Sequence, residues 1–301
     1  MGVKGYVAPS SSIKQVFPLP QIAFIPNGYY VSLSTSGTRC ELMCPFCRGV
    51  YLKGMIDASS PSRLKDVLSF LYSKGARGFL LSGGFTRNGY LMISREHLRI
   101  VREFRKGKEV IFSMHTGLAP RWLVDEAWLS GVNFLDFEVP PSEQYLAVVK
   151  GLRRHSVRDY LEFIDKVTSE YGREFVIPHI IVDSIAAQPS DEVGVMRELS
   201  EFKPPLLVVL VEIRSRGLRQ DVGRVKRFIE AARAIFNEIS LGCMRSQDMK
   251  KHDHIFLRSK LVDRVANPKR ETIKTFNLPV VYSCCSVPKR FFKLFPSEGL
   301  S

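Results

Sequence analysis

The chain has 301 residues, 45% hydrophobic and 25% charged, the balance of a globular protein long enough to enclose a cofactor-sized cavity. Lys and Arg number 44 against 30 Asp and Glu, and the formal net charge of +14 favours an anionic partner. The longest aliphatic run, 206–211, is far short of the ~20 residues of a membrane span, and the N-terminus carries no secretion-signal pattern. A cytoplasmic location is therefore expected, where six cysteines serve metal binding sooner than disulfides.

In chain order, residues 1–28 read as an irregular, proline-containing segment. Eight short apolar runs follow, at 29–34, 78–82, 110–115, 133–139, 175–182, 206–213, 238–242 and 261–266. Most lack polar alternation, as parallel strands buried on both faces do. Amphipathic stretches at 62–74, 95–104, 120–129, 157–171, 191–201, 221–236 and 269–276 fill the gaps as helices, and 247–256 is the least regular connection. Eight alternations without a linker predict an α/β chain folded as one (β/α)8 TIM-type barrel over 29–287, with a basic tail at 288–301. The alternative is a partial (β/α)6 barrel with a C-terminal extension.

The first run leads into Gly37-Thr-Arg-Cys-Glu-Leu-Met-Cys-Pro-Phe-Cys-Arg48, which spaces Cys40, Cys44 and Cys47 by three residues and then two. Three thiolates so placed can each bind a different iron of a 4Fe-4S cubane, leaving the fourth iron open to a small molecule. A zinc site would need a fourth Cys or His; none lies in this loop, so that alternative requires a distant one to fold in. With Phe46 before the third cysteine, the motif resembles the CxxxCxΦC signature of the radical S-adenosylmethionine superfamily. The resemblance implies a radical-type barrel, S-adenosylmethionine on the open iron, and its reductive cleavage to a 5′-deoxyadenosyl radical. It also implies that Ser82-Gly83-Gly84, closing the second run, lines the methionine end of the cofactor, with Phe46 beside it. Phe85 stands where the family often has Glu. Asp136 and Glu138, near the end of the fourth run, correspond to a strand that often supplies a polar contact to that cofactor.

Cys243, Cys284 and Cys285 remain, each after an extended run. Strand ends form the mouth of such a barrel, so both places can face the first trio and hold a second, auxiliary cluster. Candidates for its fourth ligand are Arg245, Ser283, Ser286, His115 and His179; the bland alternative is three small buried side chains. Adjacent residues on a strand point to opposite faces, so Cys284 and Cys285 can both be ligands only from a loop. His115 and His179 are expected in the cavity, His252 and His254 on the surface.

Cys-Glu-Leu-Met-Cys-Pro-Phe-Cys, Pro178-His-Ile180, Gly242-Cys-Met-Arg245, Asn267-Pro268 and Cys284-Cys285 together resemble the archaeal biotin-synthase-related group. That group includes a component of a two-protein lipoyl synthase. The narrower resemblance implies sulfur insertion into an octanoyl chain on an acidic carrier protein, with an auxiliary cluster on Cys243, Cys284 and Cys285 as sulfur source and Arg245 as its fourth ligand. It further implies a second radical subunit and an electron donor such as ferredoxin. Arg214-Ser-Arg-Gly217 replaces the turn usual in relatives; a basic turn suits an acidic carrier, and the alternative is that it marks a different substrate. The alternatives are radical modification of RNA, such as methyl transfer, which the positive charge suits, and a non-catalytic iron–sulfur partner subunit.

Overall fold

A computed structural model of the chain describes residues 20–44, 47–214 and 218–300. Among these, the strands are β1 (Ile22–Phe24), β2 (Tyr30–Ser34), β3 (Ile56–Asp57), β4 (Gly78–Ser82), β5 (Ile111–Met114), β6 (Phe134–Val139), β7 (Val176–Val182), β8 (Leu207–Val211), β9 (Ile239–Leu241), β10 (Arg264–Ala266), β11 (Val280–Val281) and β12 (Ser297–Glu298). The α-helices are α1 (Pro61–Ser73), α2 (Arg95–Arg105), α3 (Arg121–Leu129), α4 (Val157–Tyr171), α5 (Pro189–Glu201), α6 (Val222–Arg233), α7 (Gln247–Lys250), α8 (Asp253–Arg258) and α9 (Arg270–Phe276). Each of the eight apolar runs contains a strand. The stretch 247–256 falls in the region of two short helices, α7 and α8.

All the strands join one sheet in the order β12-β11-β1-β10-β9-β8-β7-β6-β5-β4-β2-β3, parallel throughout except where β12 meets β11. The sheet curls as a half-barrel of the TIM type. Its helices start where the sequence supplies caps: Ser60 accepts the Arg63 N–H before α1, and Ser156 and Asp159 form a reciprocal capping box on α4. Residues of β4, β7 and β8 are buried on both faces. One face packs on the helices; the other, with Ile111, Phe134, Ile177 and Leu206, fills the inside. Period-two alternation then brings Asp136 and Glu138 on β6, and His179 on β7, to that inner face, one step nearer the C-terminal ends.

Two features differ from the sequence reading. Ile22–Phe24, within the stretch read as irregular, is a strand paired on both sides, with β10 and β11. Four apolar residues between Pro20 and Pro26 are too few to show a period, and partners remote in sequence supply the pairing. The eight-strand ring also does not close by backbone hydrogen bonds among the described residues. β3 covers only Leu33 and Ser34 at the end of β2. At the seam, rings meet instead: Tyr29 with Tyr282 and Tyr30 with Phe295, both with centroids 5.9 Å apart.

Candidate active site

A cavity of about 570 Å³ lies inside the curled sheet, and all six cysteines line it. The first trio stands on the long loop between β2 and β3. That loop is fastened to the end of β4 and the turn after it: Thr35 N–H donates to Ser82 O at 2.8 Å, Gly84 N–H to Ser36 Oγ at 2.7 Å, and Glu41 N–H to Phe85 O at 2.9 Å. Phe85 N–H also donates to Cys40 Sγ at 3.4 Å. Gly84 has to be glycine, since a Cβ there would lie 1.8 Å from Arg39 O and 2.6 Å from Cys40 Cα. Cys44 and Cys47 share a hydrogen bond, which pulls the Cys47 thiol down to about 6 and pushes Cys44 far above the usual thiol range, with burial adding to the rise. Such a pair gives up its first proton more readily than its second.

The second trio is assembled from two turns. Cys243 follows β9; Cys284 and Cys285 follow β11 and lie outside it, in a turn. The strand-pleat objection to two adjacent ligands therefore does not apply. Burial and the neighbouring Cys284 push the Cys243 thiol up to about 11. The Cys284–Cys285 hydrogen bond lowers the first thiol and raises the second. Cys243 has solvent-accessible area, and that area faces the cavity.

Between the trios runs a polar wall. Asp136 is 3% exposed, and neither carboxylate oxygen has a hydrogen-bond partner among the described residues. His179 places Nε2 3.7 Å from Asp136 Oδ1, while its Nδ1 lies 2.9 Å from Ile177 O, so Nδ1 donates to that carbonyl and Nε2 faces the carboxylate. His115, its pKa lowered by burial, has Nδ1 3.1 Å from Ser82 Oγ. Glu138 pairs with Lys150 at 2.6 Å. Burial alone would depress the lysine, but Glu138 and Cys44 outweigh it and raise its pKa. Beside it the lining turns apolar, with Phe24, Val208, Leu210, Ile213, Met244 and Ala266.

Of the residues singled out in the sequence, Cys40, Cys44, Cys47, Gly83, Asp136, Glu138, His115, His179, Cys243, Ser283, Cys284 and Cys285 line the cavity. Phe46 lies outside the described residues, as do 215–217 of the basic turn. Ser82 and Gly84 sit just behind the wall, holding His115 and the cysteine loop. Arg245, expected as a ligand, is instead wholly buried in an ion pair with Asp253 at 3.0 Å. Its two terminal nitrogens, Nη1 and Nη2, are spent there and on backbone carbonyls, and the residue does not line the cavity. Lys150 was missed: it ends a π-turn, Tyr145–Lys150, that no periodicity announces.

No group of three His, Cys, Asp or Glu side chains among the described residues is gathered to hold a single metal ion. A cubane takes one thiolate per iron, so its ligands are spread around the cluster. The soft thiolate sets fit iron–sulfur groups in kind, and each trio borders the same open volume.

No protein-family model and no curated protein sequence matches the chain. Among solved structures, methylornithine synthase is 16% identical, covering 82% of this chain and 72% of that one at TM-score 0.52. The HMG-CoA lyase of Bacillus subtilis is 11% identical, covering 92% of both chains at TM-score 0.53. The hydroxymethylglutaryl-CoA lyase of Pseudomonas aeruginosa is 15% identical, covering 84% of this chain and 78% of that one at TM-score 0.51. At such identities the likeness establishes the fold, an α/β chain with a curled, mostly parallel barrel-type sheet. No described helix is long and apolar enough to cross a membrane.

Proposed function

We propose that the chain is a radical S-adenosylmethionine enzyme that inserts sulfur into an aliphatic chain, as a lipoyl synthase does with an octanoyl group on an acidic carrier protein. The reading rests on one observation: both cysteine trios border a single interior cavity. Cys40, Cys44 and Cys47 would hold a 4Fe-4S cluster, and Cys243, Cys284 and Cys285 an auxiliary one. When bound, the first group with S-adenosylmethionine would supply a 5′-deoxyadenosyl radical to take a hydrogen atom from the substrate, and the second would supply sulfide to the carbon left behind, its iron taking up the electron released as the C–S bond forms.

The chain's own residues bind, orient and exclude water. Phe85 N–H steadies the Cys40 sulfur, and the proton shared by Cys44 and Cys47 leaves as the trio becomes three thiolates. Gly83 exposes backbone to a ligand's charged ends. Asp136, with two free acceptors, can take hydroxyl or amino donors of a bound cofactor, and Glu138 is held facing the cavity by Lys150. The wall of Val208, Leu210, Ile213 and Met244 suits an acyl chain and keeps water from a carbon radical. An electron donor such as ferredoxin and a second subunit belong to the same proposal.

The test is anaerobic reconstitution with iron and sulfide counts, followed by reductant, S-adenosylmethionine and an octanoylated carrier peptide. Two clusters per chain, 5′-deoxyadenosine and a sulfur-bearing peptide by mass spectrometry are expected. Zinc, or no cubane, at the first trio overturns the reading.

A further inference from the structure

Two arginines stand behind the second trio, and both are buried with a carboxylate. Arg245 and Asp253 have side chains with no exposed area. Arg245 donates from Nη1 to Leu241 O at 3.0 Å and to Gly242 O, and from Nη2 to Ala266 O at 2.9 Å. Gly242 immediately precedes Cys243. Arg264, on β10, pairs with Glu238 at 2.8 Å and donates from Nη1 to Cys285 O at 2.8 Å and to Val287 O at 2.6 Å. Its guanidinium also stands beside the edge-to-face pair of Phe24 and Phe292, 5.3 Å and 5.1 Å from their centroids.

Stability does not explain such pairs. Taking two charges out of water is costly enough that apolar side chains of similar volume often serve as well or better. What an apolar side chain cannot do is donate several hydrogen bonds in fixed directions, which the planar guanidinium fork does. Here the fork is aimed at carbonyls of both thiol-bearing turns. β10 connects the two arrangements: Arg264 lies at its start, and Ala266, the acceptor for Arg245, at its end. β10 itself lies between β9, which leads to Cys243, and β1, which pairs with β11 before Cys284.

We infer that Arg245 and Arg264 are positioning residues that fix the Cys243 turn and the Cys284–Cys285 turn relative to each other, so that the second thiol trio is preformed for an iron–sulfur group. The inference rests on the reading of that trio as a ligand set. The two are separated in a chain carrying Cys40→Ala, Cys44→Ala and Cys47→Ala, reconstituted anaerobically, where all cluster iron belongs to the second trio. Iron content and Mössbauer spectrum are then compared for this parent and for Arg245→Met, Arg264→Met and the corresponding Lys variants. The same arginine substitutions in the full chain keep the first-trio cluster and so report that the barrel is folded.

The expected result is a several-fold loss of second-trio iron and a heterogeneous spectrum in each Met variant, with partial rescue by Lys, which keeps the charge but reaches fewer carbonyls. Met variants that load fully with the parent's spectrum overturn the positioning role while leaving the ligand reading intact. A parent that takes up no cluster overturns both.

Discussion

The two thiol regions face the same cavity but are built on opposite principles. Cys40, Cys44 and Cys47 lie within one loop, and their spacing is written in consecutive residues. That loop bends through left-handed positions at Gly37, Met43, Arg48 and Gly49 and is fastened mainly by backbone hydrogen bonds to the turn after β4. Cys243, Cys284 and Cys285 come from two short turns far apart in the chain, joined through β10 and β1. Their turns are backed by buried charged side chains. A local motif can tolerate a pliant loop because the spacing itself confines the sulfurs, whereas a ligand set assembled from distant turns has only the fold to define it. The contrast implies that the first region depends on its glycines and the second on its arginines.

The sharpest way to break the comparison is to remove each trio in turn. Replacing Cys40, Cys44 and Cys47 by Ala should reduce 5′-deoxyadenosine, measured by liquid chromatography, to the level of reductant alone. Replacing Cys243, Cys284 and Cys285 by Ala should take away about half the iron, one of two cubanes, abolish the sulfur-bearing product and leave cofactor cleavage measurable. Unchanged iron in the second variant would remove the sulfur-donor role.

How far the sequence reveals each region follows the same division. The eight strands and the first trio are legible because an apolar run between turn signals and a CxxxCxxC spacing are local patterns. β1 is not, because three residues carry no period and its strength comes from β10 and β11. Without β1, the approach of β11 to β10, and hence of Cys284 to Cys243, is invisible. The family resemblance makes Arg245 a fourth ligand, and only the position of Asp253 shows which way its side chain turns. Lys150 belongs to a π-turn whose spacing imitates neither helix nor strand. Asp136 and Glu138 were legible as inward residues of a strand, though not the bare carboxylate of the one or the lysine partner of the other.

A smaller effect is expected from Gly84→Ala. The added methyl meets Arg39 O at 1.8 Å and Cys40 Cα at 2.6 Å, both backbone atoms that move only with the whole cysteine loop. Overpacking of this kind costs about 1–3 kcal/mol, so the fold should survive with a lowered denaturation midpoint. The first trio should then load iron poorly while the second loads as before. Equal loss at both trios would show that the two regions are not independently built.

The smallest effect concerns His97 on α2, which fastens the far end of the first loop. Its Nε2 lies 3.2 Å from Ala58 O and its Nδ1 2.7 Å from Ser94 Oγ, and Ala58 N–H in turn donates to Ser34 O at 2.9 Å. Burial lowers the pKa of His97, outweighing the hydrogen bonds to Ala58 and Ser59 and the nearby Glu96. The unfolded chain therefore takes up the proton first as pH falls. The contribution of the neutral imidazole is complete above the ordinary value of ~6.5 and is lost as pH drops through the lower folded value, each tenfold difference in proton affinity amounting to ~1.4 kcal/mol. His97→Gln should lose less stability than the parent between neutral and mildly acid solution, with the other titrating groups cancelling in the difference. Hydrogen exchange should locate the effect: the Ala58 amide loses protection on acidification in the parent but not in the variant, while the amide of Ile25, which donates to Val281 O at 3.1 Å beside the second trio, behaves alike in both. Equal acid response of the two proteins would mean that this histidine does not hold the first loop.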